Sequence, residues 1–183
     1  MEDVFKSIEE VLDLYPAATT VSTDTPVTAT SDPAPISDRE RLEIIVHKLK
    51  FIPLEQRSRV TYLQDVSPIA ITPSDYLDRL IRIAGGIPVT DPSAGDFNPG
   101  VLILISDKPI SQLLSELPNA LSTSFWSASE AVRNNNVFVI HHPEYLREPG
   151  KHLAEDAEIL AEIINPGYFV YGRDEDAWMQ FSV

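Results

Sequence analysis

Gly100-Val101-Leu102-Ile103-Leu104-Ile105 sets an unbroken run of large aliphatic residues directly after a glycine. Side chains alternate between the two faces of a sheet along a strand, so a strand apolar at every position is covered on both faces. Such strands belong to parallel sheets with helices above and below. Val137-Phe138-Val139-Ile140 repeats the pattern, and Val60-Thr61-Tyr62-Leu63 is a third short strand. Between and after them the apolar period changes to that of a helix. Leu77, Leu80, Ile81 and Ala84 form one stripe, stopped at Gly85-Gly86, which reads as a helix cap. Ile110, Leu113, Leu114 and Leu117 form another, expected to end at Pro118. A short helix over about 127–133 leads into the turn Asn134-Asn135-Asn136, and Leu153, Ala157, Leu160 and Ile164 make the last helix, stopped by Pro166-Gly167. Strand and helix in alternation predict an α/β fold, a three-layer αβα lobe with a short, mainly parallel sheet.

The chain ahead of this lobe is of two kinds. Val4, Phe5, Ile8, Val11 and Leu12 share one face of an N-terminal helix ending near Tyr15-Pro16. Residues 16–37 are rich in Thr, Ser, Ala and Pro, without an aromatic residue or a period, and are expected to be a flexible linker. Ser37-Asp38-Arg39-Glu40 then fits a capping box before Leu42, Ile45, Val46 and Leu49. The expected organisation is helix 1–15, linker 16–37, lobe 38–171 and an acidic tail 172–183.

Composition narrows the function. Of 183 residues, 14 are Lys or Arg and 28 are Asp or Glu, a net charge of −14 that repels phosphate backbones and anionic lipid. Nucleic acid is therefore not an expected partner. No apolar run approaches the roughly 20 residues of a membrane helix, so membrane insertion is not expected either. With no cysteine, thiol catalysis, thiolate metal sites and disulfides drop out. Met1 is followed by Glu2 and Asp3 instead of a basic leader, which implies a cytoplasmic protein if Met1 is the native start.

The residues that invite a chemical reading each have a plainer one. Neighbouring side chains on a strand point to opposite faces, so His141-His142 reads as a solvated strand end ahead of a metal pair. Asp174-Glu175-Asp176 lacks the glycine and spaced oxygens of a calcium loop. Gly85-Gly86 closes a helix instead of opening one and cannot cradle phosphate as a glycine-rich loop does. Phe125-Trp126, in a Ser/Thr-rich loop, fits either a ligand crevice or a cap on the core. No catalytic constellation emerges, so no enzyme activity, metal ligand or cofactor is expected.

Six stretches together resemble the helical-backbone metal-chelate receptors. These are the class III periplasmic substrate-binding proteins of vitamin B12 and iron-siderophore ABC transporters, and the likeness is to the cobalamin-type branch. Met1-Glu2-Asp3-Val4-Phe5-Lys6-Ser7-Ile8 resembles the family's "LEDVFxSI" opening of the inter-lobe helix. Arg59-Val60-Thr61-Tyr62-Leu63 resembles "RVLYL", and Tyr76-Leu77-Asp78-Arg79-Leu80-Ile81-Arg82-Ile83-Ala84-Gly85-Gly86 resembles "WVPELIELAGG". Asn98-Pro99-Gly100-Val101-Leu102-Ile103 is similar to "DPDVII", and the stretch 131–139 to "AVRNGRVFV". The stretches 145–153 and 158–166 are similar to "YFSRPGPRL" and "EILAEILHP".

The resemblance covers one C-terminal lobe and implies a non-enzymatic binding module for cobalamin or a related metal chelate. Tyr76, Phe125 and Trp126 would then offer flat apolar contact, and Arg147 and Lys151 would meet polar or anionic groups. The alternative is an orphaned lobe acting through protein contacts without a ligand. The stretch from Gly86 to Asn98 is shorter than the family's, which puts ABC permease docking in doubt. A helix remnant without its first lobe would leave the Val4, Phe5, Ile8, Val11, Leu12 stripe partly uncovered, so self-association is expected. Periplasmic or extracellular location follows by resemblance if the chain is part of a longer receptor.

Overall fold

The backbone alternation read at 101–105 is realised in a computed structural model that describes residues 2–15, 36–174 and 176–182. The elements run α1 (Glu2–Leu14), α2 (Asp38–Leu49), β1 (Arg59–Leu63), the hairpin β2 (Asp65–Val66) and β3 (Ile69–Ala70), α3 (Asp75–Ile83) and β4 (Ile87–Pro88). They continue with β5 (Val101–Ile105), α4 (Ile110–Leu121), α5 (Ser124–Ser127), α6 (Glu130–Arg133), β6 (Val137–Ile140), α7 (Leu153–Ile164) and β7 (Trp178–Phe181). The main sheet has the order β4-β1-β5-β6-β7, with every pairing parallel except β6 with β7.

The two faces of each strand feed two separate cores. Val60, Tyr62, Val101, Ile103, Ile105, Phe138 and Ile140 pack with α1, α2, α3 and α7. Leu63, Leu102, Leu104, Val137 and Val139 pack with α4, α5 and α6 on the other side. That gives three αβα layers, and it explains why β5 is apolar at every position. The helix after β1 lies on the first face and the helix after β5 on the second. The winding therefore reverses between β1 and β5, which leaves a crevice at their carboxyl ends.

Local signals hold well here. Ser37 caps α2 with a full box: its Oγ accepts from the Glu40 N–H at 3.3 Å, while its own N–H donates to Glu40 Oε2 at 2.9 Å. Gly85 ends α3 at φ +88°, where a β-carbon would also collide with Leu49.

Four expectations are corrected. α4 runs through Pro118 to Leu121 because Leu113, Leu117 and Leu121, one turn apart, all bury against the sheet. That burial outweighs the hydrogen bond a proline cannot make. The helix expected over about 127–133 is confined to α6 at Glu130–Arg133, with a separate short helix, α5, ahead of it. The expected tail 172–183 instead carries β7, which is held to the sheet by its ladder to β6 and by Trp178 packing edge-on to Phe138 at 5.4 Å. Finally, Ile8 and Val11 are buried, because α1 lies against α2 and α3 with Glu9 paired to Arg39 and Glu10 to Arg79 at the rim. For these two residues the premise of an uncovered stripe fails. The side chains of Val4 and Phe5, and residues 16–35 of the expected linker, lie outside the described residues.

Candidate binding site

The carboxyl ends of β1 and β5 open onto a cleft of about 220 Å³. Gln64 borders it after β1, Asp107 after β5, Tyr76 from the first turn of α3, and Leu146 and Arg147 from the loop that follows β6. Tyr76 and Arg147, two of the five residues singled out in the sequence, thus meet at one site.

Both are committed to the fold. The Arg147 guanidinium donates to the carbonyls of His142 at 2.5 Å and Ser106 at 2.6 Å, and to Asp107 Oδ1 at 3.1 Å. It ties the loop after β6 to the end of β5. Its planar fork suits several carbonyls at once, and little of its donor capacity is left for a ligand. Tyr76 is buried, and its hydroxyl donates to Asp156 Oδ2 at 2.7 Å. Burial first, and the acid beside it second, push that hydroxyl well above the usual tyrosine range. Asp156, fully buried on α7, also accepts the Leu146 N–H on Oδ1 at 2.8 Å. Burial pushes its carboxyl up to about 7, against the pull of these two hydrogen bonds.

The other three residues lie elsewhere. Lys151 is exposed on the same loop and paired with Glu148 at 3.3 Å and Glu144 at 3.6 Å, so the anionic-group role falls to a cation already neutralised. Phe125 and Trp126 sit at the opposite end of the sheet, beside the residues that precede β5; the Ala131 N–H there donates to the Pro99 carbonyl. Trp126 is 5% exposed and packs in the second core, which corrects the expectation that it offers a platform. Phe125 is 49% exposed and stacks on Phe97 at 5.6 Å. Phe97 and Phe125 border a second hollow of about 390 Å³, remote from the cleft, and Trp126 packs edge-on to both rings. Among the described residues no group of three or more His, Asp or Glu is arranged to hold a metal ion. The His142 ring rests on Tyr145 at 4.5 Å.

Sequence reasoning missed Asp156 and Glu162. Both were lost among 28 acids; Asp156 falls on the apolar arc with Leu153 and Leu160, whereas Glu162 shares a face with Glu155 and Glu158. An acid on the buried arc of a helix must find hydrogen-bond donors, and for Asp156 that was the available signal.

No protein-family model and no curated protein matches the chain. Solved structures do match. An ABC transporter solute binding protein from Sulfurospirillum deleyianum is 17% identical at TM-score 0.54, over 75% of this chain and 46% of its own. An ABC transporter substrate-binding protein from Listeria monocytogenes is 16% identical at TM-score 0.56, over 69% and 53%. S. aureus IsdE, in a complex with heme, is 15% identical at TM-score 0.53, over 90% and 64%. These likenesses show the fold: the chain has the architecture of one lobe of an ABC-transporter solute-binding protein. It spans about half the length of the first two.

Proposed function

We propose that the chain is a non-enzymatic binding module, with the cleft outside the carboxyl ends of β1 and β5 as one wall of its ligand site. The observation that carries this is the position of the cleft where the winding of the sheet reverses, the place at which open α/β sheets take ligands. Tyr76 and Arg147 line it, one apolar and rigid, the other holding the loop in place. Its volume of about 220 Å³ is below the roughly 300–1,000 Å³ of enclosed small-molecule sites. A ligand would rest against this wall and be completed by a second one, from another lobe or another chain. Cobalamin or a related metal chelate is the ligand class that the sequence resemblance favours, and heme in the IsdE complex supports a flat metal macrocycle.

One observation favours the second reading, an orphaned lobe that works through protein contacts. Phe51, Leu54 and Val170 are 72%, 70% and 84% exposed, large apolar side chains facing solvent. Exposed apolar groups mark a partner surface where they lie together, as Ile36 and Ile44, 60% and 44% exposed, do around one surface hollow.

Size-exclusion chromatography of the chain after incubation with hydroxocobalamin, and separately with haemin, separates the two. Visible absorbance travelling with the protein is expected, and R147A should abolish it. Absorbance left entirely in the small-molecule fractions, with the protein eluting as a discrete oligomer, would overturn the ligand reading in favour of the second.

A further inference from the structure

We propose that Asp156 is a proton-sensitive latch on the wall of the carboxyl-end cleft, clasping Leu146 and Tyr76 so that loss of its proton loosens the loop 141–152. The latch stands on geometry; its bearing on ligand capture rests on the cleft being a binding wall.

Four parts of the fold converge on this one carboxyl. Oδ1 accepts the Leu146 N–H at 2.8 Å and Oδ2 the Tyr76 hydroxyl at 2.7 Å. Leu146 has φ +62°, a left-handed backbone that a leucine rarely takes without being held there. The Tyr15 ring, at the end of α1, meets Tyr76 edge-on at 4.9 Å. Gly150, at φ +82°, brings the loop so close to Tyr15 that a β-carbon there would lie 2.9 Å from the Tyr15 Cβ. The acid thus joins α7, α3 and the cleft loop directly, and α1 through Tyr76.

The charged and titratable groups facing Asp156 do not offset its burial. From α3 it meets the neutral Tyr76 hydroxyl, with Tyr15 of α1 behind that ring. From the loop it feels Arg147 only at a distance, because that guanidinium is spent on carbonyl oxygens and Asp107. On its own helix Glu155 repels it. The closed loop therefore favours the protonated acid, while an opened loop would rehydrate the carboxylate and return it to the ordinary range. Raising the pH must then favour opening, by up to about tenfold per pH unit while the closed state keeps the proton that the open state has lost, and the gain levels off once the acid ionises in the closed state as well.

Hydrogen exchange on the full chain, from about pH 5 to about pH 9 and corrected for intrinsic rates, tests this without any ligand. Protection over 142–150 is expected to fall from about pH 5 towards neutral, relative to the α4 segment 110–121, by up to about tenfold per pH unit, and to level off above it. D156N keeps the size of the side chain and mimics the neutral acid, so its loop protection should be flat with pH. A flat wild-type profile, or a D156N profile that tracks the wild type, would overturn the latch. Should D156N fail to fold, Y76F serves. It removes one donor to the carboxylate, and the loop transition should move to higher pH; an unmoved transition overturns the proposal. Failure of the hydroxocobalamin experiment would leave these outcomes untouched.

Discussion

Glu162 Oε2 lies 3.3 Å from the indole Nε1 of Trp178, tying the buried helix α7 to the antiparallel edge strand β7. The same carboxylate accepts the N–H groups of Tyr171 at 2.7 Å, Gly172 at 2.8 Å and Arg173 at 3.1 Å. One acid thus collects four donors at the partly exposed seam between helix and sheet. E162A should leave them unpaired and cost roughly 2–3 kcal/mol, in line with hydrogen bonds to charged groups. Urea unfolding followed by Trp178 fluorescence would measure this, and a loss below about 0.5 kcal/mol would mean that water replaces the carboxylate freely.

Asp156 makes a contribution of definite sign to global stability. Its carboxyl is pushed from the ordinary 3.8 up to about 7 in the folded chain. Between those values the folded state binds a proton that the unfolded state has released. The contribution is therefore present in full below pH 3.8 and is lost as pH rises towards 7. The stability of the wild type relative to D156N should fall over that window and level off above it. Paired urea titrations would show this; a difference that rises with pH would contradict it.

Arg147 bridges carbonyls of two loop segments with one planar group, a geometry that a lysine cannot copy. R147K should therefore lower stability by about 1–3 kcal/mol despite keeping the charge. The thermal midpoint of R147K against wild type is the measurement. An unchanged midpoint would leave the guanidinium free for a ligand.

Trp126 is enclosed, whereas Phe125 beside it is half exposed. In a W178F background the remaining indole should emit at short wavelength and resist iodide quenching. Efficient quenching would restore Trp126 as a surface platform at the amino-terminal end of the sheet.

Much of the framework was legible without coordinates because its causes are local. An all-apolar run at 101–105 leaves a strand no exposed face, the Ser37–Glu40 box starts α2 with its own side chains, and Gly85 supplies a backbone that other residues resist. The site was less so. Tyr76 and Arg147 are 71 positions apart in the sequence and meet only because β1 and β5 pair and the loop after β6 folds over them. Phe125 and Trp126 carry the same aromatic chemistry, but α4 has already carried the chain to the other end of the sheet.

Local periodicity and backbone preference thus determined the type of most elements and the α/β class. Tertiary structure alone decided that α4 continues through Pro118, that β7 closes the sheet edge, and that Asp156 and Glu162 are buried with partners. The reason is physical: a helix period depends on neighbours three or four residues away, whereas burial and hydrogen-bond satisfaction depend on segments brought together by long-range pairing.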